Sequence, residues 1–121
     1  MTTDIKPHTW KTMPRGGIIP EAGNAAAYRT GAWRTYRPIW SAENCIHCLT
    51  CWILCPDASI QAERGKVKGI DYEHCKGCGI CAHECPINAK VLANDKLSPE
   101  EKEKKKAITM VLEGETAASK E

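Results

Sequence analysis

Eight cysteines carry the chemistry legible in this chain, and they fall into one pattern used twice. The first set is Cys45-x2-Cys48-x2-Cys51-x3-Cys55-Pro56, and the second is Cys75-x2-Cys78-x2-Cys81-x3-Cys85-Pro86. Three thiolates two residues apart wrap a short loop around three irons of a small cube. The fourth cysteine, before proline, lies beyond a turn and points toward the other cube. The pattern therefore predicts two [4Fe–4S] clusters, each drawing three ligands from one motif and one from the other. Cys45, Cys48, Cys51 and Cys85 are assigned to the first cluster, and Cys75, Cys78, Cys81 and Cys55 to the second. Two clusters fixed close together can pass electrons between them.

Other uses of eight cysteines fit less well. Zinc needs four thiolates per tetrahedral site, but not a third cysteine at the same spacing or a fourth followed by proline, in duplicate. Disulfides could pair eight cysteines in 105 ways, but a reducing compartment disfavours them. The neighbours of the ligands are expected to tune the clusters. Gly77 and Gly79 let backbone approach sulfide and donate N–H bonds. Ile46, Leu49, Ile53 and Ile80 are expected to shield the cubes from water. His47 stands where the second motif has Gly77; it is expected to face solvent, with coupling of its protonation to the cluster as the sharper alternative. His74 and His83 are read as solvent-facing too. Trp52 could cap the first cluster or meet a partner.

The elements that must position these ligands come from an internal repeat. A shift of 30 positions superimposes Glu43-Asn44-Cys45 on Glu73-His74-Cys75 and pairs all eight cysteines. This predicts a small α+β fold, a bacterial ferredoxin-type two-[4Fe–4S] domain with a pseudo-two-fold repeat, over residues 38–95. Between the halves, Ser59 to Glu63 and Lys66 to Ile70 read as a hairpin around Arg64-Gly65. The segments after each Cys-Pro, Asp57 to Ile60 and Ile87 to Ala89, read as loop or short helix. With no Phe in 121 residues, the clusters must replace much of the apolar core, and the metal-free chain should be largely unfolded.

Residues 1–37 are rich in Gly, Pro, Arg and Thr and predict an extended N-terminal arm. Trp10, Tyr28, Trp33 and Tyr36 favour docking on a partner over a disordered tail, since disordered segments are poor in aromatics. Residues 96–121 predict a short charged C-terminal helical tail. Ser98-Pro99-Glu100-Glu101 is a helix start, and the helix is expected from Pro99 to about Lys106, extending at most to Leu112. The charge is graded: +4 over residues 1–40, −2 over 41–95 and zero over 96–121. Two oxidised clusters, at about −2 each with their thiolates, would make the whole weakly acidic.

No apolar segment follows the N-terminal Met1-Thr2-Thr3-Asp4, and Ala107 to Leu112 is too short to span a bilayer, so a cytoplasmic protein without membrane insertion is expected. Glu100, Glu101 and Glu103 offset the Lys102–Lys106 run, so no nucleic-acid partner is expected. The chain has no Gly-rich phosphate loop and no magnesium motif. No residue is assigned a catalytic role, and no substrate-turnover site is expected.

Gly31-Ala-Trp-Arg-Thr-Tyr-Arg-Pro38, the Cys-Trp-Ile-Leu-Cys-Pro-Asp run ending at Asp57, and Asp71-Tyr-Glu-His-Cys-Lys-Gly-Cys-Gly-Ile-Cys-Ala82 resemble the delta subunit of 2-oxoacid:ferredoxin oxidoreductases, among them pyruvate synthase. The resemblance covers roughly residues 28–95, and His47 departs from the usual pattern. It implies an iron–sulfur subunit of a hetero-oligomeric enzyme. Companion catalytic and structural subunits would bind thiamine diphosphate, magnesium, the 2-oxoacid and coenzyme A. This chain would relay electrons to or from an external ferredoxin during oxidative decarboxylation or its reverse. The alternatives are a free-standing ferredoxin, which an aromatic, basic arm argues against, and a relay subunit of another complex such as a hydrogenase. A scaffold whose clusters only staple the fold is the least economical reading.

Overall fold

Two antiparallel strand pairs brace the cysteine loops in the computed structural model, which describes residues 7–115. The elements in order are β1 (Tyr36–Trp40), α1 (Thr50–Leu54), β2 (Ile60–Glu63), β3 (Lys66–Ile70), α2 (Ile80–His83), α3 (Pro86–Leu92), α4 (Pro99–Lys105) and β4 (Ile108–Leu112). This is a small domain of mixed helix and strand.

The hairpin expected between the halves is β2–β3. Arg64 and Gly65 have φ of 51° and 75°, the left-handed pair that a tight two-residue turn requires. Ile60 and Val67 are buried from its two strands. After the first Cys-Pro the chain turns, with Ala58 at φ 50°. After the second, Pro86 opens α3 as its first residue, where its missing N–H costs nothing.

Helix α4 starts as its capping residues dictate. Glu101 N–H donates to Ser98 Oγ at 3.3 Å, and the Glu101 carboxylate accepts from Ser98 N–H at 2.9 Å. The helix stops at Lys105 and does not continue to Leu112. Instead the β-branched Ile108, Thr109 and Val111 form strand β4, which pairs with β1 from Tyr36↔Leu112 to Trp40↔Ile108. The C-terminal segment is thus partly built into the domain and is not wholly a charged helical tail. Asn88 fastens it: buried on α3, its Nδ2 donates to the carbonyls of Ala82 (2.9 Å) and Ile108 (2.7 Å), and its Oδ1 accepts from Ala107 N–H at 2.9 Å.

The N-terminal segment divides at Thr30. From residue 7 to 29 it carries short 3₁₀ turns at Arg15–Gly17 and Asn24–Ala27 and is almost wholly exposed. Thr30 and Gly31 are buried, and Gly31 N–H donates to the Glu73 carbonyl at 2.7 Å. Any side chain at Gly31 would run into the carbonyl oxygen of Tyr72. The expected arm therefore narrows, because its last part is packed on the cysteine domain. Among the described residues no helix is long and apolar enough to cross a membrane.

Candidate iron–sulfur centres

The structure gathers the eight cysteines around two cavities, four to each. One is lined by Cys45, Cys48, Cys51 and Cys85. The other is lined by Cys55, Cys75, Cys78 and Cys81. The cysteine preceding each proline therefore stands with the three of the other motif. No disulfide joins any two of them. Four thiols turned toward one cavity, twice over, is an arrangement suited to binding metal.

Their local structure follows from the x2 spacing. Leu49 (φ 63°) and Gly79 (φ 78°) put a left-handed residue just before α1 and α2, so that Cys51 and Cys81 face inward from the first turn of each helix. Backbone N–H groups turn toward sulfur: His47 to Cys45 Sγ at 3.3 Å, Gly77 to Cys75 Sγ at 3.4 Å, and Ser59 to Cys55 Sγ at 3.2 Å.

The electrostatics show why the thiols need metal. Burial pushes the Cys81 thiol up to about 12, with the sulfurs of Cys75, Cys78 and Cys51 adding to the rise. Burial raises Cys51 as well, reinforced by Cys45, Cys48 and Cys85. Burial also raises Cys75, where Cys55 and Cys78 add to it while Gly77 N–H and Arg34 oppose it. Cys48, near the surface, is lowered by a hydrogen bond from the Thr50 hydroxyl. Four thiolates crowded around one void repel one another unless cations lie between them.

The donor set fits an iron–sulfur cube better than one ion. Among the described residues no three His, Cys, Asp or Glu side chains close on a point as a single metal requires. Each cavity is also lined by a residue with a buried polar atom that has no partner in the protein, Trp40 through Nε1 at the first and Ser59 through Oγ at the second. The residues present thus match a sulfur-rich group with acceptor atoms of its own.

The shielding expected from four aliphatic residues is corrected. Leu49 lines the first cavity, but Ile46, Ile53 (70% exposed) and Ile80 line neither. The walls are made instead by Pro38 and Ile60 at the second cavity and by Trp40, Val67, Ala107 and Ile108 at the first. Trp52 is half exposed and lines neither. His47 is turned inward, contrary to expectation: Val67 N–H donates to its Nδ1 at 3.1 Å, which places its ring proton on Nε2. His74 is held by Asp71 at 2.7 Å, and His83 is the one of the three that faces solvent.

Arg34 was legible only as part of the lead-in motif, yet it braces the second loop. Its side chain is only 8% exposed. It grips Glu113 with Nε and Nη2 at 2.7 and 3.1 Å, and donates through Nη1 to the carbonyls of Tyr72 and Cys75. The same bonds hold the Glu113 carboxyl below its usual range. Tyr72 lies under both Arg34 and Arg37 and donates its hydroxyl to Pro38 O at 2.7 Å.

Gly77 is squeezed between this strand and the second loop. At φ 68° a methyl group there would collide with the carbonyl of Tyr36 on β1, whereas Gly79, also left-handed, faces open space. Gly77→Ala is therefore expected to lose most of the iron of the second site and keep the first. Gly79→Ala, which meets no protein atom, should cost left-handed strain of about 1–2 kcal/mol and leave β1 in place. Iron per chain and thermal melting of the two variants, side by side, check the contrast.

Comparison with known proteins agrees with this geometry. A family model described as a 4Fe-4S dicluster domain matches residues 39–92. Pyruvate synthase subunit PorD of Thermotoga maritima is 52% identical over 81 residues, covering 67% of this chain and 82% of the relative. Its counterpart in Methanocaldococcus jannaschii is 50% identical over 72 residues, covering 60% and 84%. The NADH-dependent phenylglyoxylate dehydrogenase subunit delta of Aromatoleum evansii is 36% identical over 69 residues, covering 57% and 73%.

Proposed function

The chain belongs to the family of delta subunits of 2-oxoacid:ferredoxin oxidoreductases, and on that premise we propose that it is the electron-transfer subunit of a pyruvate synthase. The observation that carries this reading is the pair of four-thiol cavities. In it, Cys45, Cys48, Cys51 and Cys85 hold one [4Fe–4S] cluster, and Cys55, Cys75, Cys78 and Cys81 the other. Each cluster, when bound, takes up and releases one electron at a time. The chain's own residues do the rest. The cysteines cross-link the two repeats, whose pseudo-two-fold relation the matching left-handed entries at Leu49 and Gly79 support. The apolar walls exclude water, and the backbone N–H groups of His47, Ser59 and Gly77 offset charge on the sulfurs.

Thiamine diphosphate, magnesium and coenzyme A chemistry belongs to companion subunits, and an external ferredoxin is the electron partner outside the complex. Residues 38–95, with β4, form the relay, and the exposed segment before Thr30 is the docking arm. Trp10, Met13, Ile18 and Ile19 leave that segment with large apolar side chains in water, a state that docking would relieve. A cytoplasmic site suits oxygen-sensitive clusters and free thiols.

Deletion of residues 1–27 tests the division. The truncated chain is expected to bind the same iron per chain but to co-purify with much less of the thiamine-binding subunits. Unchanged co-purification would remove the arm from the interface.

A further inference from the structure

We propose that the indole N–H of Trp40 and the hydroxyl of Ser59 each donate a hydrogen bond to sulfur of the cluster in the cavity they line, Trp40 to the first and Ser59 to the second. The proposal rests on the cluster reading above and extends it to two residues outside the cysteine motifs. An indole N–H can only donate, and buried polar groups are almost always partnered. Trp40 Nε1 and Ser59 Oγ are buried, and neither has a partner in the protein. The other buried side-chain atoms in that condition among the described residues, Arg37 Nε and His74 Nε2, belong to residues on neither cavity wall.

Both residues sit on backbone that is fixed beside a cavity. Trp40 is the last residue of β1 and pairs with Ile108, which lines the same cavity. Its ring stands edge-on to His47 at 6.3 Å, in the loop whose N–H meets Cys45 Sγ. Ser59 is 1% exposed. Its own N–H reaches Cys55 Sγ, and its carbonyl accepts from Asp71 N–H at 2.7 Å. Each residue lines a cavity walled by sulfur, and an occupant with acceptor sulfurs would give each orphaned donor its partner.

The consequence is a directional effect on potential. Reduction adds negative charge to the cluster sulfurs, so a donor aimed at them stabilises the reduced form more than the oxidised one. Trp40 and Ser59 are thus positioning residues that raise the potential of one cluster each.

The test uses anaerobic holoprotein carrying both clusters and follows each by electron paramagnetic resonance during a redox titration. W40F is expected to lower the potential of the first cluster alone, and S59A that of the second alone. Each should shift the electron distribution between the clusters about tenfold, which is ~59 mV for a one-electron couple. Potentials unchanged in both variants would overturn the proposal. A second readout guards against W40F losing its cluster. In 15N-tryptophan-labelled protein carrying W52F, electron–nuclear double resonance should find an exchangeable indole proton coupled to the reduced first cluster. Its absence would overturn the Trp40 bond. Wild-type protein without two cubane signals would instead overturn the cluster reading beneath it.

Discussion

Removing iron from the anaerobic protein with a chelator is expected to abolish its cooperative thermal transition and to leave an expanded chain. The reason is visible in what is buried. Pro38 apart, the apolar core among the described residues consists of Ile60, Val67, Val91, Ala107, Ile108 and Val111, together with Cys51, Cys75, Cys81 and Cys85. A buried Ile or Val contributes about 1.5–3 kcal/mol, while fixing each residue's backbone costs about 1–2 kcal/mol. So few aliphatic side chains cannot order this chain unaided. Metal–thiolate bonds supply the difference, so here binding is folding. Reconstitution should also depend on pH. In the unfolded metal-free chain the cysteines are exposed and protonated at neutral pH, and they must lose protons to ligate. Acid therefore opposes loading, and the apparent affinity should climb as pH rises from about 6 toward 9. Circular dichroism and a melting curve before and after chelation read the first effect. A metal-free chain that still melts sharply would show that the aliphatic core suffices.

The second large effect separates the two clusters. In Cys55→Ser the second site is expected to lose its cluster while the first is kept, and in Cys85→Ser the first is lost and the second kept. Each variant should hold about half the iron of the wild type, with one of two paramagnetic signals missing. The crossing follows from the cavities, since Cys55 lines the one with Cys75, Cys78 and Cys81, and Cys85 the one with Cys45, Cys48 and Cys51. If Cys55→Ser instead removed the signal of the first loop, the ligands would be drawn from single motifs.

Local chemistry was legible in the sequence, and long-range pairing was not. The x2-x2-x3 spacing is a contact rule within one loop, so it can be read without knowing the rest of the fold. The Arg64-Gly65 turn and the Ser98 capping box are equally local, and both formed as expected. By contrast, the wall of the first cavity depends on β4 reaching back to β1, a pairing such as Trp40↔Ile108 that joins distant parts of the chain. A short strand following a lysine-rich helix carries no periodic signal strong enough to reveal that partner. Trp40, Ala107 and Ile108 therefore went unread as cluster neighbours. His47 was misplaced for a different reason. Its φ of 55° turns the ring inward onto Val67 N–H, and histidine gives little warning of a left-handed conformation. Arg34 was seen as a motif letter, but its work depends on Glu113, which lies in the segment read as tail.

The account is tested most directly by metal and acid-labile sulfide analysis of anaerobically purified protein. It predicts a brown protein with about eight irons and about eight sulfides per chain. A colourless protein with about two zinc ions and no labile sulfide would contradict it.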